Sequence, residues 1–106
     1  MDNYNKELGD KRERIEDIEE KISEKTSEIK RLNEEIDNIQ YMKRNAYQVH
    51  GEILEDWEGE DGFKKLYEAN EEMDNIFTSL VRFKQETLED AEAEKKTIIR
   101  ELDELR

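Results

Sequence analysis

Apolar side chains return at a seven-residue interval from the start of the chain. Leu8, Ile15, Ile22, Ile29 and Ile36 hold one heptad position, and Ile18, Leu32, Ile39, Ala46 and Ile53 hold the other. Lys25 interrupts the second series, while Lys43 and His50 continue the first before Trp57 ends it. Positions alternately three and four residues apart fall on one stripe of an α-helix, so this is a coiled-coil seam. A second stripe reads Phe63, Leu66, Asn70, Met73 and Phe77, then shifts by one position to Val81, Leu88, Ala91, Ile98, Leu102 and Leu105. The two successive four-residue steps at 73–77–81 form a stutter, which locally relaxes a left-handed supercoil. The pattern predicts one all-α domain over 1–106: a first helix over about 3–57, a turn at 58–62 and a second helix over about 62–105.

Folding the two arms antiparallel about Glu60 makes facing positions sum to about 120. Ile15 then meets Leu105, Ile22 meets Ile98, Ile29 meets Ala91, Leu32 meets Leu88 and Ile39 meets Val81. Two independent stripes that match along nearly their whole length argue for an antiparallel two-helix hairpin with long coiled-coil-like arms. The first dozen or so residues, with Tyr4 and Leu8, are left overhanging. Gly59 is placed to take the left-handed conformation that closes a helix, and Asp61 to cap the second helix with its carboxylate. Trp57 and Phe63 flank this turn on the two seams, where an aromatic pair can plug the open end of the hairpin. No proline interrupts either arm. Gly9 and Gly51 weaken the first helix by roughly 1 kcal/mol each relative to Ala, so fraying is expected before Asp10.

Charged residues make up 46% of the chain and hydrophobic residues only 33%, which is too little to build a compact core of ordinary width. Two helices alone leave the sides of their seam open and bury little against the ordering entropy of about 100 residues. More surface must be covered, and toward the turn the apolar positions spread beyond the seam. Tyr41, Met42, Tyr47, Val49 and Leu54 do so on the first arm, and Tyr67, Ile76, Leu80 and Phe83 on the second. An apolar surface rich in Tyr, Phe and Met on a thin hairpin reads as a protein-binding face, whether for another protein or for a second copy of the chain.

Net charge is −13, and ten acidic residues lie between Glu52 and Asp74 against only Lys64 and Lys65. That balance disfavours nucleic-acid phosphates and anionic membranes. No apolar run approaches the roughly 20 residues needed to span a bilayer, and the polar opening Met1-Asp2-Asn3-Tyr4 has no signal-peptide character, so a soluble protein without membrane insertion is expected. The chain has no cysteine, hence no disulfide and no thiolate site, which fits a reducing compartment. A calcium loop starting at Asp56 would put Asp61 where glycine is needed and Tyr67 where the bidentate Glu belongs. His50 is the sole histidine and sits on the seam, and carboxylate pairs such as Glu34/Glu35 and Glu71/Glu72 have no pocket to shift their pKa. The expectation is a protein that is not an enzyme, with no catalytic residues, no metal and no cofactor.

Trp57-Glu58-Gly59, between two long helices in an acidic chain free of Cys and Pro, resembles the W-x-G helical hairpins of type VII secretion. Phe63 resembles the aromatic or small apolar position that opens the second helix there. The resemblance covers the whole chain and implies a hairpin with a W-x-G turn, shaped by Trp57 and Gly59, that completes a helical bundle with a partner. Within that superfamily the chain is most similar to the small accessory proteins of Gram-positive bacteria that partner LXG-type toxins. Such likeness implies a targeting factor or chaperone that binds the toxin's N-terminal helical domain, with or without a second small WXG-like protein, and helps direct it to export. It would act in the cytoplasm or leave with its partner through type VII secretion. The family's usual Y-x-x-x-[DE] export signal follows the second helix, whereas Tyr67-Glu68-Ala69-Asn70-Glu71 lies at that helix's start and reads as surface. The rival readings are a self-associating coiled-coil scaffold, dimeric in isolation, and an acidic immunity protein or DNA mimic.

Overall fold

The computed structural model describes residues 2–56 and 59–106. They form two helices, α1 (Asp2–Asp56) and α2 (Glu60–Leu105), and no strand is present among the described residues. α1 starts at Asp2 and runs unbroken through Gly9 and Gly51, so the fraying expected before Asp10 is not observed. Neither glycine is there for close packing, since a Cβ built on either would meet no atom within 4 Å.

α2 begins at Glu60, about two residues earlier than the expected start. The Phe63 N–H donates to the Gly59 carbonyl at 2.9 Å, which puts Gly59 at the N-cap position and Asp61 inside the first turn. The N-cap expected at Asp61 is thereby corrected. Glycine is an acceptable N-cap residue, and acidic residues in the first turn suit the helix macrodipole. The left-handed conformation expected of Gly59 depends on its peptide with Glu58, and that residue and Trp57 lie outside the described residues.

The chain divides into two compact units. The first, Met1–Leu32 with Thr87–Arg106, pairs the start of α1 with the end of α2. Its helices run antiparallel: the Lys25 ammonium binds the Glu94 carboxylate as well as Glu28, and Arg106 binds Glu19 at 2.7 Å. Ile18, Leu32, Ala91 and Leu102 are buried here, with Ile15, Ile22, Ile29, Leu88 and Ile98 half-buried along the same seam. Spacing on both helices is heptad throughout. Lys25 takes a seam position by burying its stem and carrying its charge out to two carboxylates. Tyr4 and Leu8, expected to overhang, are exposed.

The second unit, Asn33–Glu86, is a helical hairpin in which α1 turns back into α2. Lys84 binds Glu35 at 2.8 Å, and Lys43 binds Asp74 at 3.3 Å. The numbers of Glu35 and Lys84 sum to 119 and those of Lys43 and Asp74 to 117, which is the expected register. Among the described side chains of this unit, only Ile36 and Ile39 are buried. The inward positions of α2 are Gly62, Leu66, Asn70, Met73, Phe77 and Val81, with steps of four, four, three, four and four. That is an eleven-residue spacing, which extends the stutter seen in the sequence toward the turn. It also sets Phe63 one residue, about 100° of helix, past the inward Gly62. Phe63 is 49% exposed and Ile53 is 39% exposed, so neither takes the seam position expected of it.

A candidate protein-interaction face

Among the residues expected to bind a partner, Tyr41, Met42, Tyr47, Val49, Tyr67, Ile76, Leu80 and Phe83 are all exposed. All lie in the second unit. The side chain of Leu54 lies outside those described. The eight do not form one surface, because helical rotation distributes them to both sides of the seam.

On one flank, Tyr47 and Tyr67 lie with the charged residues. Tyr47 Oη donates a hydrogen bond to Asp74 Oδ1, the Lys43 ammonium reaches the same carboxylate, and Lys43 Nζ stands 5.8 Å from the Tyr47 ring centroid. The Tyr47 hydrogen bond and then Lys43 hold the Asp74 carboxyl below its ordinary value, and the Tyr47 hydroxyl is pushed up, chiefly because it donates a hydrogen bond to Asp74. Nearer the first unit's residues along the chain, Gln40, Lys43, Thr78, Arg82 and Gln85 line a shallow depression on this same side. Lys43, Tyr47 and Asp74 are committed to one another, and the residues beside them are mostly polar, so this flank is a polar edge.

The opposite flank differs in kind. Met42 and Val49 are seven residues apart on α1, about 100° around the helix from the seam and away from Gln40 and Tyr47. Ile76, Leu80 and Phe83 are set likewise on α2, away from Thr78 and Gln85. Their exposures run from 38% at Leu80 to 67% at Ile76. Asn75, Ile76, Ser79 and Leu80 line an open depression in this surface. Ile53, which the heptad had assigned to the seam, is 39% exposed, and its helical position four residues after Val49 puts it toward this side. Tyr41 points outward from α1, between the flanks.

This flank is almost devoid of charge. From Asn38 to Ile53 only Lys43, Arg44 and Glu52 are charged, and from Asn75 to Phe83 only Arg82, against 46% for the whole chain. Lys43, Arg44 and Arg82 belong to the polar flank by their helical positions. The low-charge windows 38–53 and 75–83 are visible in the sequence, and would have separated this strip from the aromatic positions on the other side.

His50 and Asn70 escaped notice as a pair. Their numbers sum to 120, so the register sets them opposite each other on the seam, and His50 Nδ1 and Asn70 Oδ1 are both buried without a hydrogen-bond partner. Buried unpaired polar atoms destabilise a fold by about 1–3 kcal/mol each. They leave the turn-side half of the seam weaker than its apolar spacing suggests. Among the described residues, no group of three or more His, Asp or Glu side chains is arranged to hold a metal ion, and no helix is long and apolar enough to cross a membrane.

Comparison of the chain with protein-family models, curated proteins and solved structures finds no match.

Proposed function

We propose that the chain is a small helical binding protein whose working surface is the charge-poor flank of its second unit. The observation that carries this is the concentration there of exposed Met42, Val49, Ile76, Leu80 and Phe83 beside a seam with only two buried residues among those described. Exposed apolar area of this extent in so charged a chain is stabilised when a partner covers it. The surface is long, narrow and built on two helices, so it suits the apolar stripe of another helical protein, with which it would complete a bundle.

The finer reading rests on Trp57-Glu58-Gly59 and its resemblance to the hairpins of type VII secretion. In that reading the chain is a targeting factor or chaperone for an LXG-type toxin, engaging the toxin's N-terminal helical domain. Its mechanism is surface completion without chemistry. The charge-poor flank favours this over an acidic mimic, whose contact surface would have to carry carboxylates.

The test is co-expression with the N-terminal helical domain of an LXG-type toxin, followed by size-exclusion light scattering. A stable complex is expected, weakened about tenfold or more by Phe83→Ala and much less by Tyr67→Ala. A chain that ignores the domain, or a complex indifferent to Phe83 and Ile76, would overturn the proposal.

A further inference from the structure

We infer that the charge-poor flank of the second unit also closes on a second copy of this chain, so that the protein alone is a two-fold dimer and the partner binding proposed above competes with it. The dimer stands on surface chemistry alone, and only the competition rests on the partner reading.

Electrostatics confines where two copies can meet. Each carries −13, and at physiological salt charges within about 8 Å still interact, so most approaches bring carboxylates together. The strip through Met42, Val49, Ile76, Leu80 and Phe83 is the exception. Among the described side chains, carboxylates come only at its ends, with Glu52 and Glu72 toward the turn and Glu35 already neutralised by Lys84 at 2.8 Å. A basic partner would be drawn instead to a continuous acidic rim, whereas the long sides of this strip carry amides and hydroxyls.

The polar groups that border the strip are of the self-complementary kind. Asn38, Asn45, Asn75 and Ser79 are exposed on or beside it. An amide or hydroxyl both donates and accepts, so it can pair with its own equivalent across a two-fold axis, whereas a charge meets its like. Area agrees with this. Five large side chains and Ile53, exposed by 38–67%, present roughly 500 Å² per copy at about 150–200 Å² for a full side chain. With the bordering amides, two copies reach the lower end of stable interfaces, about 1,200 Å² in total.

Sedimentation equilibrium of the purified chain, across concentration and at low and high salt, tests this. A dimer is expected, tightening as salt screens the repulsion between two acidic chains. Ile76→Glu, and separately Asn45→Asp, which adds like charge without removing an apolar contact, should each weaken it about tenfold or more while circular dichroism keeps its helical signal. Tyr67→Glu, on the polar flank, should leave it intact. A monomer at every concentration, a dimer that salt weakens, or one that Tyr67→Glu breaks and Ile76→Glu does not would overturn the inference. Adding the toxin's helical domain separates the two proposals. A dimer that ignores the domain sinks the partner reading and leaves the dimer, while a monomer that binds it does the reverse.

Discussion

The first unit and the second are built from the same two helices, yet they spend their apolar residues differently. In the first, Ile18, Leu32, Ala91 and Leu102 are buried, both strands of the seam keep heptad spacing, and the sides are lined with ion pairs such as Lys25 with Glu94. In the second, the buried pair among the described residues is Ile36 and Ile39, the α2 stripe keeps an eleven-residue spacing against the heptads of α1, and ten of the thirteen exposed large hydrophobics described are found. A heptad stripe matched to a heptad stripe closes on itself. A heptad stripe set against an eleven-residue stripe drifts out of facing, and what drifts out becomes surface for association.

The sharpest way to break this contrast is to damage the closed unit. Leu32→Ala removes a side chain that is 4% exposed and should lower unfolding free energy by about 2–5 kcal/mol, while leaving association through Phe83 and Ile76 intact in whatever protein remains folded. Denaturant unfolding alongside a mass measurement reads both. If Leu32→Ala abolished association without loss of stability, the division of labour between the units would be wrong.

Next in size is repair of the open unit. Replacing His50 and Asn70 together by Leu exchanges two unpaired polar atoms for apolar contact, and stability should rise by about 1–3 kcal/mol. A loss instead would mean that the pair is satisfied in solution and helps to hold the register. Smaller still, Gly51→Ala meets no atom within 4 Å and should stabilise α1 by about 0.5–1 kcal/mol. Thermal unfolding measures this, and destabilisation would show that the helix does not run straight through position 51.

The smallest effect lies in pH, where the units part in opposite directions. Asp74 in the second unit has its carboxyl held down by Tyr47 and Lys43, so what the ionised form contributes is present above its unfolded value near 3.8 and is lost as pH falls through the lower folded value. Lys25 in the first unit is raised above 10.5 by Glu94 and then Glu28, so its contribution is present below 10.5 and is lost as pH rises through the folded value. The stability difference between wild type and Asp74→Asn should therefore vanish in acid, and that between wild type and Lys25→Met in strong alkali. Both ion pairs remain open to solvent, so both differences are small. A difference for Asp74→Asn that persisted in acid would show that its role is not electrostatic.

Much of the fold was legible in advance for a simple reason. Seam spacing is a one-dimensional signal set by the residues per helical turn, and two such signals fix a register when they are matched end to end. Lys84 with Glu35 and Lys25 with Glu94 fall on the expected sum within a residue. The start of α2 was less legible, because Gly59, Asp61 and Gly62 are all plausible helix-boundary residues and only the Phe63 to Gly59 bond chooses among them. The candidate face was legible as a set of off-seam positions near the turn. Its division was not. Tyr47 and Met42 read alike as apolar residues beside the seam, and which side each occupies depends on where the other helix lies.

By itself, then, the sequence determined that this chain makes two helices, that they run antiparallel, and which residues meet across the seam. Those properties follow from local periodicity and the chemistry of Gly and charge along one strand. Tertiary packing alone decided that Phe63 and Ile53 turn outward, that Tyr47 spends its hydroxyl on Asp74, and that Met42, Val49, Ile76, Leu80 and Phe83 share one charge-poor flank. A helix presents every direction around its axis, and only the placement of its neighbour makes one of them an inside and another a surface.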